Sequence, residues 1–207
     1  MYAACSRMIA VIMAVTWLTL WADAQHRSSS QETATFTAPD GAFRFVYPSN
    51  FQICTNVNLD PCHYAAFMPV CSRDALVCIL YPRQEFEDTN FRAGFEVVEI
   101  LQHGTTSDEC VTPHTGHQFL LSAEHPTELI GGVSFIHGTQ DGSAMGHTND
   151  TEVYRAFHKS RCFQLSVSET WTTHDSSGPP MKTLTPAQER KIEQTMSHIL
   201  HSFRFAN

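Results

Sequence analysis

The sequence predicts a single α+β domain: an antiparallel β-sheet flanked by helices and stapled by disulfides. Three observations carry this. The last third of the chain alternates apolar and polar residues in strand fashion. It then closes on a capped amphipathic helix. Six cysteines follow an export leader. The length of 207 residues suits one domain with an adequate core. With 42% apolar residues and only 16% charged, the composition argues against disorder. A net charge of -8, from 13 basic and 21 acidic residues, makes nucleic acid an unsuitable partner.

Residues 1–24 read as a signal peptide. Arg7 gives a short positive leader, Ile9 to Leu20 is an uncharged apolar run, and Ala22-Asp23-Ala24 offers a cleavage site. The run is shorter than the about 20 residues a bilayer needs. Cleavage after Ala24 is expected, with a secreted or periplasmic product and no membrane span. Cleavage also removes Cys5. Cys54, Cys62, Cys71, Cys78, Cys110 and Cys162 remain, an even set that reads as a disulfide framework. The short spacings favour Cys54 with Cys62 and Cys71 with Cys78, which leaves Cys110 for Cys162. Fifteen pairings are formally open.

Residues 25–35 are polar and Ser-rich, and are expected to form a flexible N-terminal segment before a domain over 36–207. Ala42 to Tyr47 alternates and is aromatic-rich, so it reads as a strand ended by Pro48-Ser49-Asn50. Phe51 to Cys54 is a second short extended piece. Residues 55–74 lack a period and read as a cysteine-pinned loop with at most a helical turn. Leu76 to Tyr81 is an apolar run suited to a strand buried on both faces, and Phe91 to Leu101 a central strand. Residues 102–126 show no clear element.

Leu129 to His137, Ala144 to Lys159 and Arg161 to Trp171 read as a three-strand meander. Its links are Gly138 to Ser143 and a tight turn at Lys159-Ser160. Gly131-Gly132 reads as the start of a strand or a bulge. In the last strand Phe163, Leu165 and Val167 share one face, while Gln164, Ser166 and Ser168 share the other. Thr185-Pro186-Ala187-Gln188 then opens a helix with an N-cap, a proline at N1 and a capping-box glutamine. Ile192, Met196, Ile199, Leu200 and Phe203 form its core-facing stripe.

Three segments together (AFRFVYP at 42–48, YRAFHKSRCFQL at 154–165, SFRF at 202–205) resemble the PsbP-like family of small exported domains. The order also resembles that of secreted bacterial proteins with similar ends. The resemblance implies an α/β/α sandwich over about residues 36–205, with helices on both faces of the sheet, and a non-enzymatic accessory role. The six cysteines and the long cysteine-bearing loop depart from that pattern, and no functional residue of the family maps onto this chain.

The sequence holds no G-x-S-x-G, P-loop, H-E-x-x-H or dinucleotide fingerprint. His158 and Cys162 straddle the predicted turn, and oxidation would mask the thiol. No catalytic or cofactor-binding residue is therefore assigned, and a non-catalytic role is preferred. The expected function is a secreted binding or accessory module for a protein or small ligand. The alternative is a histidine-based metal-binding protein or metal-dependent enzyme. It would use zinc or copper on His114, His117, His125 and His137. His198 and His201 repeat the H-x-x-H spacing near the helix end, where capping is the expected role. Asn149-Asp150-Thr151 is a glycosylation sequon.

Overall fold

Two antiparallel sheets meet across an aromatic core. The computed structural model describes residues 32–55, 71, 75–102, 105–112, 120–122, 126–144, 146–172 and 181–206. The chain divides into residues 1–32 and Thr33–Asn207, and the architecture below belongs to the second unit. The expected signal peptide and its cleavage site lie outside the described residues.

The smaller sheet joins β1 (Thr33–Thr37), β2 (Phe43–Pro48) and β11 (Arg204–Phe205) in the order β1-β2-β11. β1 begins inside the segment expected to be flexible. The reason is local: TATFT alternates, pairs with β2 in full register, and stacks Phe36 on Phe45 at 5.0 Å.

The larger sheet is built from β3 (Gln52–Thr55), β4 (Ala75–Leu80), β5 (Phe91–Leu101), β6 (Leu120–Leu121), β7 (Thr127–Ile130), β8 (Val133–Ala144), β9 (His147–His158) and β10 (Arg161–Thr172). Its order is β3-β4-β5-β10-β9-β8-β6, with β7 also paired to β8. A short helix α1 (Ser107–Val111) lies in the segment where the sequence shows no element. Its Thr106/Glu109 capping box is the signal that was there to read. A 3-10 turn spans Arg83–Phe86, and α2 (Pro186–Ser202) carries the expected Thr185/Gln188 capping box.

The meander differs from expectation at one place. The expected strand Leu129 to His137 is a hairpin of β7 and β8, and the expected link Gly138 to Ser143 is strand. Gly131 and Gly132 make the turn at φ +61° and +83°, a region that favours glycine. A Cβ on Gly131 would stand 2.4 Å from the Phe203 carbonyl oxygen, so the turn rests directly on the chain that leaves α2. The turn at Lys159-Ser160 is as expected, with both residues at positive φ.

α2 covers one face of the large sheet. Ile192, Met196, Ile199 and Leu200 are buried there with Phe43, Phe45, Phe135, Phe163, Leu165 and Phe203. Ser202 ties the helix end to β2: the Val46 N–H donates to Ser202 Oγ at 2.8 Å, and that hydroxyl donates to the Ile199 carbonyl at 2.7 Å. Among the described residues, α2 is the one long helix, and it lies on one face. The expected antiparallel sheet is met, and among the described residues its helix flanking is limited to α2 and to the five-residue α1, which Cys110 ties to Cys162 on β10. On the opposite face Cys54, Cys71, Ala75, Cys78, Leu80 and Val97 form a smaller cluster.

Cys71 is bonded to Cys78 and Cys110 to Cys162, as the spacings suggest. Cys54 is also disulfide-bonded, while Cys62, its expected partner, lies outside the described residues. The second disulfide masks the Cys162 thiol. Asn149 sits within β9, where its amide donates to Thr151 Oγ1 at 2.8 Å and accepts from Thr170 Oγ1 at 2.9 Å. A glycan on that nitrogen would break the network.

Among the described residues, no helix is long and apolar enough to cross a membrane.

Candidate functional site: an acidic cleft between the sheet and the long helix

Strand register dictates what faces α2. Side chains directly opposite on paired strands share a face. The first row holds Val98, Leu165, Tyr154 and His137. The second holds Glu96, Val167, Glu152 and Thr139, and the third Gly94, Glu169, Asp150 and Asp141. The face thus changes from apolar to acidic along its length. At the acidic end the helix and sheet enclose a cleft of about 620 Å³.

Five carboxyl groups line it: Asp150 and Glu152 from β9, Glu169 from β10, Glu128 from β7 and Glu193 from α2. His137, Tyr154, Trp171, Val167, Met196, Ser197, Leu200 and His201 complete the lining, which among the described residues contains no Lys or Arg. The Tyr154 hydroxyl donates to Glu152 Oε2. The His137 ring lies flat on Tyr154, with centroids 4.5 Å apart and planes within 4°. Its Nε2 is 3.9 Å from Glu152 Oε2. Across the cleft His201 Nε2 meets Glu128 Oε1 at 2.6 Å, and its Nδ1 meets the Ser197 carbonyl at 2.7 Å. The second contact lies within the last turns of α2, four residues back along the helix.

Burial, with like-charge crowding added to it, shows in the ionisation of the site. Burial pushes the Glu169 carboxyl up to about 7, and Glu193, Asp150, Glu152 and Glu189 add to the effect. Burial and Asp141 raise Asp150. Burial, the Glu152 hydrogen bond and nearby carboxylates raise the Tyr154 hydroxyl. Glu96 is raised well above its ordinary value by burial.

A stability prediction follows with a definite sign. A carboxyl whose folded pKa is raised binds its proton more tightly in the folded state. Its stabilising contribution is complete below the unfolded value of 4.5 and is lost as pH rises through about 7. Glu169→Gln should therefore stabilise the chain near pH 8 by about 1–2 kcal/mol, allowing for solvent screening at a half-buried group. Near pH 4 it should change little. Thermal midpoints of both proteins across that range test this. A variant offset that does not grow with pH would refute the raised ionisation of Glu169.

The sequence-predicted histidines separate here. His137 lies in the cleft and is 8% exposed. His114, His117 and His125 lie outside the described residues. Of the second H-x-x-H pair, His201 lines the cleft and His198 does not. Among the described residues, no group of three or more His, Cys, Asp or Glu side chains is placed to hold a metal ion. The carboxylates were missed by sequence reasoning, yet a signal existed. Glu169 and Trp171 continue the parity of Phe163, Leu165 and Val167, so an acid stands at an inward position.

Fold and cleft together define a disulfide-stapled, mostly antiparallel β domain with an acidic, ligand-sized cleft. No protein-family model matches the chain, and no curated protein matches it. Among solved structures it is similar to a protein of Bacteroides thetaiotaomicron at 7% identity and a TM-score of 0.44, over 84% of this chain and 48% of that one. The chain therefore spans about half the length of that relative. It is also similar to LpqN of Mycobacterium tuberculosis, described as involved in cell envelope biogenesis. That match has 10% identity and a TM-score of 0.44, and covers 85% of this chain and 91% of LpqN. The cyanobacterial PsbP of Synechocystis sp. PCC 6803 matches at 8% identity and a TM-score of 0.44, over 85% of this chain and 94% of PsbP.

Proposed function

We propose that the protein is an extracytoplasmic, non-catalytic binding module that holds its ligand in the cleft between α2 and strands β8–β10. The observation that carries this is the cleft itself. It has the volume of a small-ligand site, and it gathers five carboxyl groups with aromatic and apolar side chains. The disulfides support an oxidising compartment. The polar lining groups are held by one another, as in Tyr154 with Glu152 and His201 with Glu128. That arrangement suits a fixed binding surface.

The test is a thermal-shift panel of amines, amino acids, sugars, organic acids and metal salts on the exported, oxidised chain. The same panel is run on Ser197→Trp, which fills the cleft from α2. At least one class should raise the midpoint by several degrees at saturating concentration and lose that effect in the variant. Equal shifts in both proteins for every class would remove the cleft as the binding site.

A histidine-based metal site is a second reading, favoured by His137 lying 3.9 Å from Glu152. It predicts stabilisation by zinc or copper that disappears in His114→Ala/His117→Ala.

A further inference from the structure

The arrangement of charge in the cleft points to the chemistry of its occupant. Glu152 stands in one row of the sheet, and Asp150 with Glu169 in the next. Residues two apart on a strand are about 7 Å apart. The carboxyls therefore form a strip and do not converge on a point. Glu193 faces the strip from α2. Val167, Met196 and the Trp171 ring lie among the acids. They offer hydrocarbon for an alkyl stem and an aromatic face for a cation.

A second, independent observation comes from Glu96. It shares the row of Val167 and Glu152, so its side chain faces the side of the sheet on which the cleft lies. It is 1% exposed, and its Oε2 has no hydrogen-bond partner among the described residues. Buried carboxyl oxygens normally have partners, and Glu96 leaves one unfilled on the cleft side of the sheet.

We propose that the cleft binds an organic polycation: two or more ammonium groups on an alkyl stem, as in a free polyamine or in neighbouring lysine side chains. This rests on the cleft being the ligand site. Ammonium groups spaced along a chain meet carboxylates in successive rows, and the methylenes lie on Val167 and Met196. Protonation opposes binding. Glu169 is faced by Asp150 and Glu152 on β9, by Glu189 and Glu193 on α2 and by Tyr81 beyond β4, and it takes up a proton near neutrality.

Titration calorimetry on the exported, oxidised chain at low salt tests this with spermidine, trilysine, calcium chloride and an uncharged polyether. Near pH 8 spermidine should saturate one site per chain, at least about tenfold more tightly than calcium or the polyether. Binding should weaken by about tenfold near pH 6. It should weaken at least as much in Glu152→Gln/Glu193→Gln, and in Ser197→Lys, where an internal ammonium enters the cleft. Tighter binding of trilysine than spermidine assigns the cations to a polypeptide, and weaker binding assigns them to a free amine. The inference is overturned if neither amine saturates, if calcium equals spermidine, or if both variants bind as the natural chain does. Cleft-dependent stabilisation by a neutral compound alone would sink the polycation and leave the binding module standing. No cleft-dependent ligand at all would sink both.

Discussion

Phe203→Ala should destabilise the domain by about 3–5 kcal/mol, the range for emptying a buried aromatic site. The ring is 0% exposed. It lies 5.2 Å from Phe43 in the small sheet, 6.2 Å from Phe135 in the large sheet and 5.0 Å from Phe205 in β11. It follows α2 directly, and its carbonyl receives the Gly131 turn. One ring therefore joins both sheets, the helix end and the β7–β8 hairpin. Collapse into the space would require several of these elements to move together, which places the cost toward the upper end. Urea unfolding monitored by circular dichroism measures it, with the midpoint falling at an unchanged slope. Leu129→Ala, at a side chain 68% exposed, should stay within about 0.5 kcal/mol. A loss below about 1 kcal/mol for Phe203→Ala would show that the two sheets hold together without this ring.

Replacing Cys110 and Cys162 together by alanine should cost about 4 kcal/mol. The bond closes a loop with a sequence separation of 52 residues. The loop-entropy relation gives about that value for a loop of this size. Both cysteines are fully buried, and they anchor α1 to the start of β10. α1 has only five residues and cannot persist by propensity. Its amide protection should therefore collapse in the double variant, while β9 and β10 keep theirs, because their pairing runs over 12 residues. The melting midpoint should fall by roughly 10 °C for a chain of this size. A midpoint within a degree or two of the natural chain would mean that local packing, not the crosslink, holds this end.

Elements with strong local signals were legible in advance. β5 spans the residues its alternation marks. α2 begins at the Thr185 cap and buries the expected stripe. β9 and β10 turn at Lys159-Ser160. Elements that depend on partners were not. β1 looks like a polar tail until β2 pairs with it and Phe36 finds Phe45. The β7–β8 hairpin hides in one apolar run, because Gly131-Gly132 reads equally as a bulge or a turn. Gly138 and Gly142 look like linker residues, yet they lie in a strand held by β9.

The site divides the same way. His137 was singled out by residue type, and it does line the cleft. The acids were passed over because a carboxylate in sequence is by default a solvated one. Their inward parity becomes meaningful only when three strands align Glu96, Glu152, Asp150 and Glu169 on one face and α2 closes over them. By itself, then, the sequence determined the strand periodicity, the capped helix, the overall negative charge and a cysteine set suited to oxidation. Those are properties of neighbours along the chain. The tertiary structure decided which acids share a face, how far burial raises them, and where the cleft opens. Those depend on register between segments up to about 100 residues apart, as when Glu193 of α2 comes to face the row that holds Glu96.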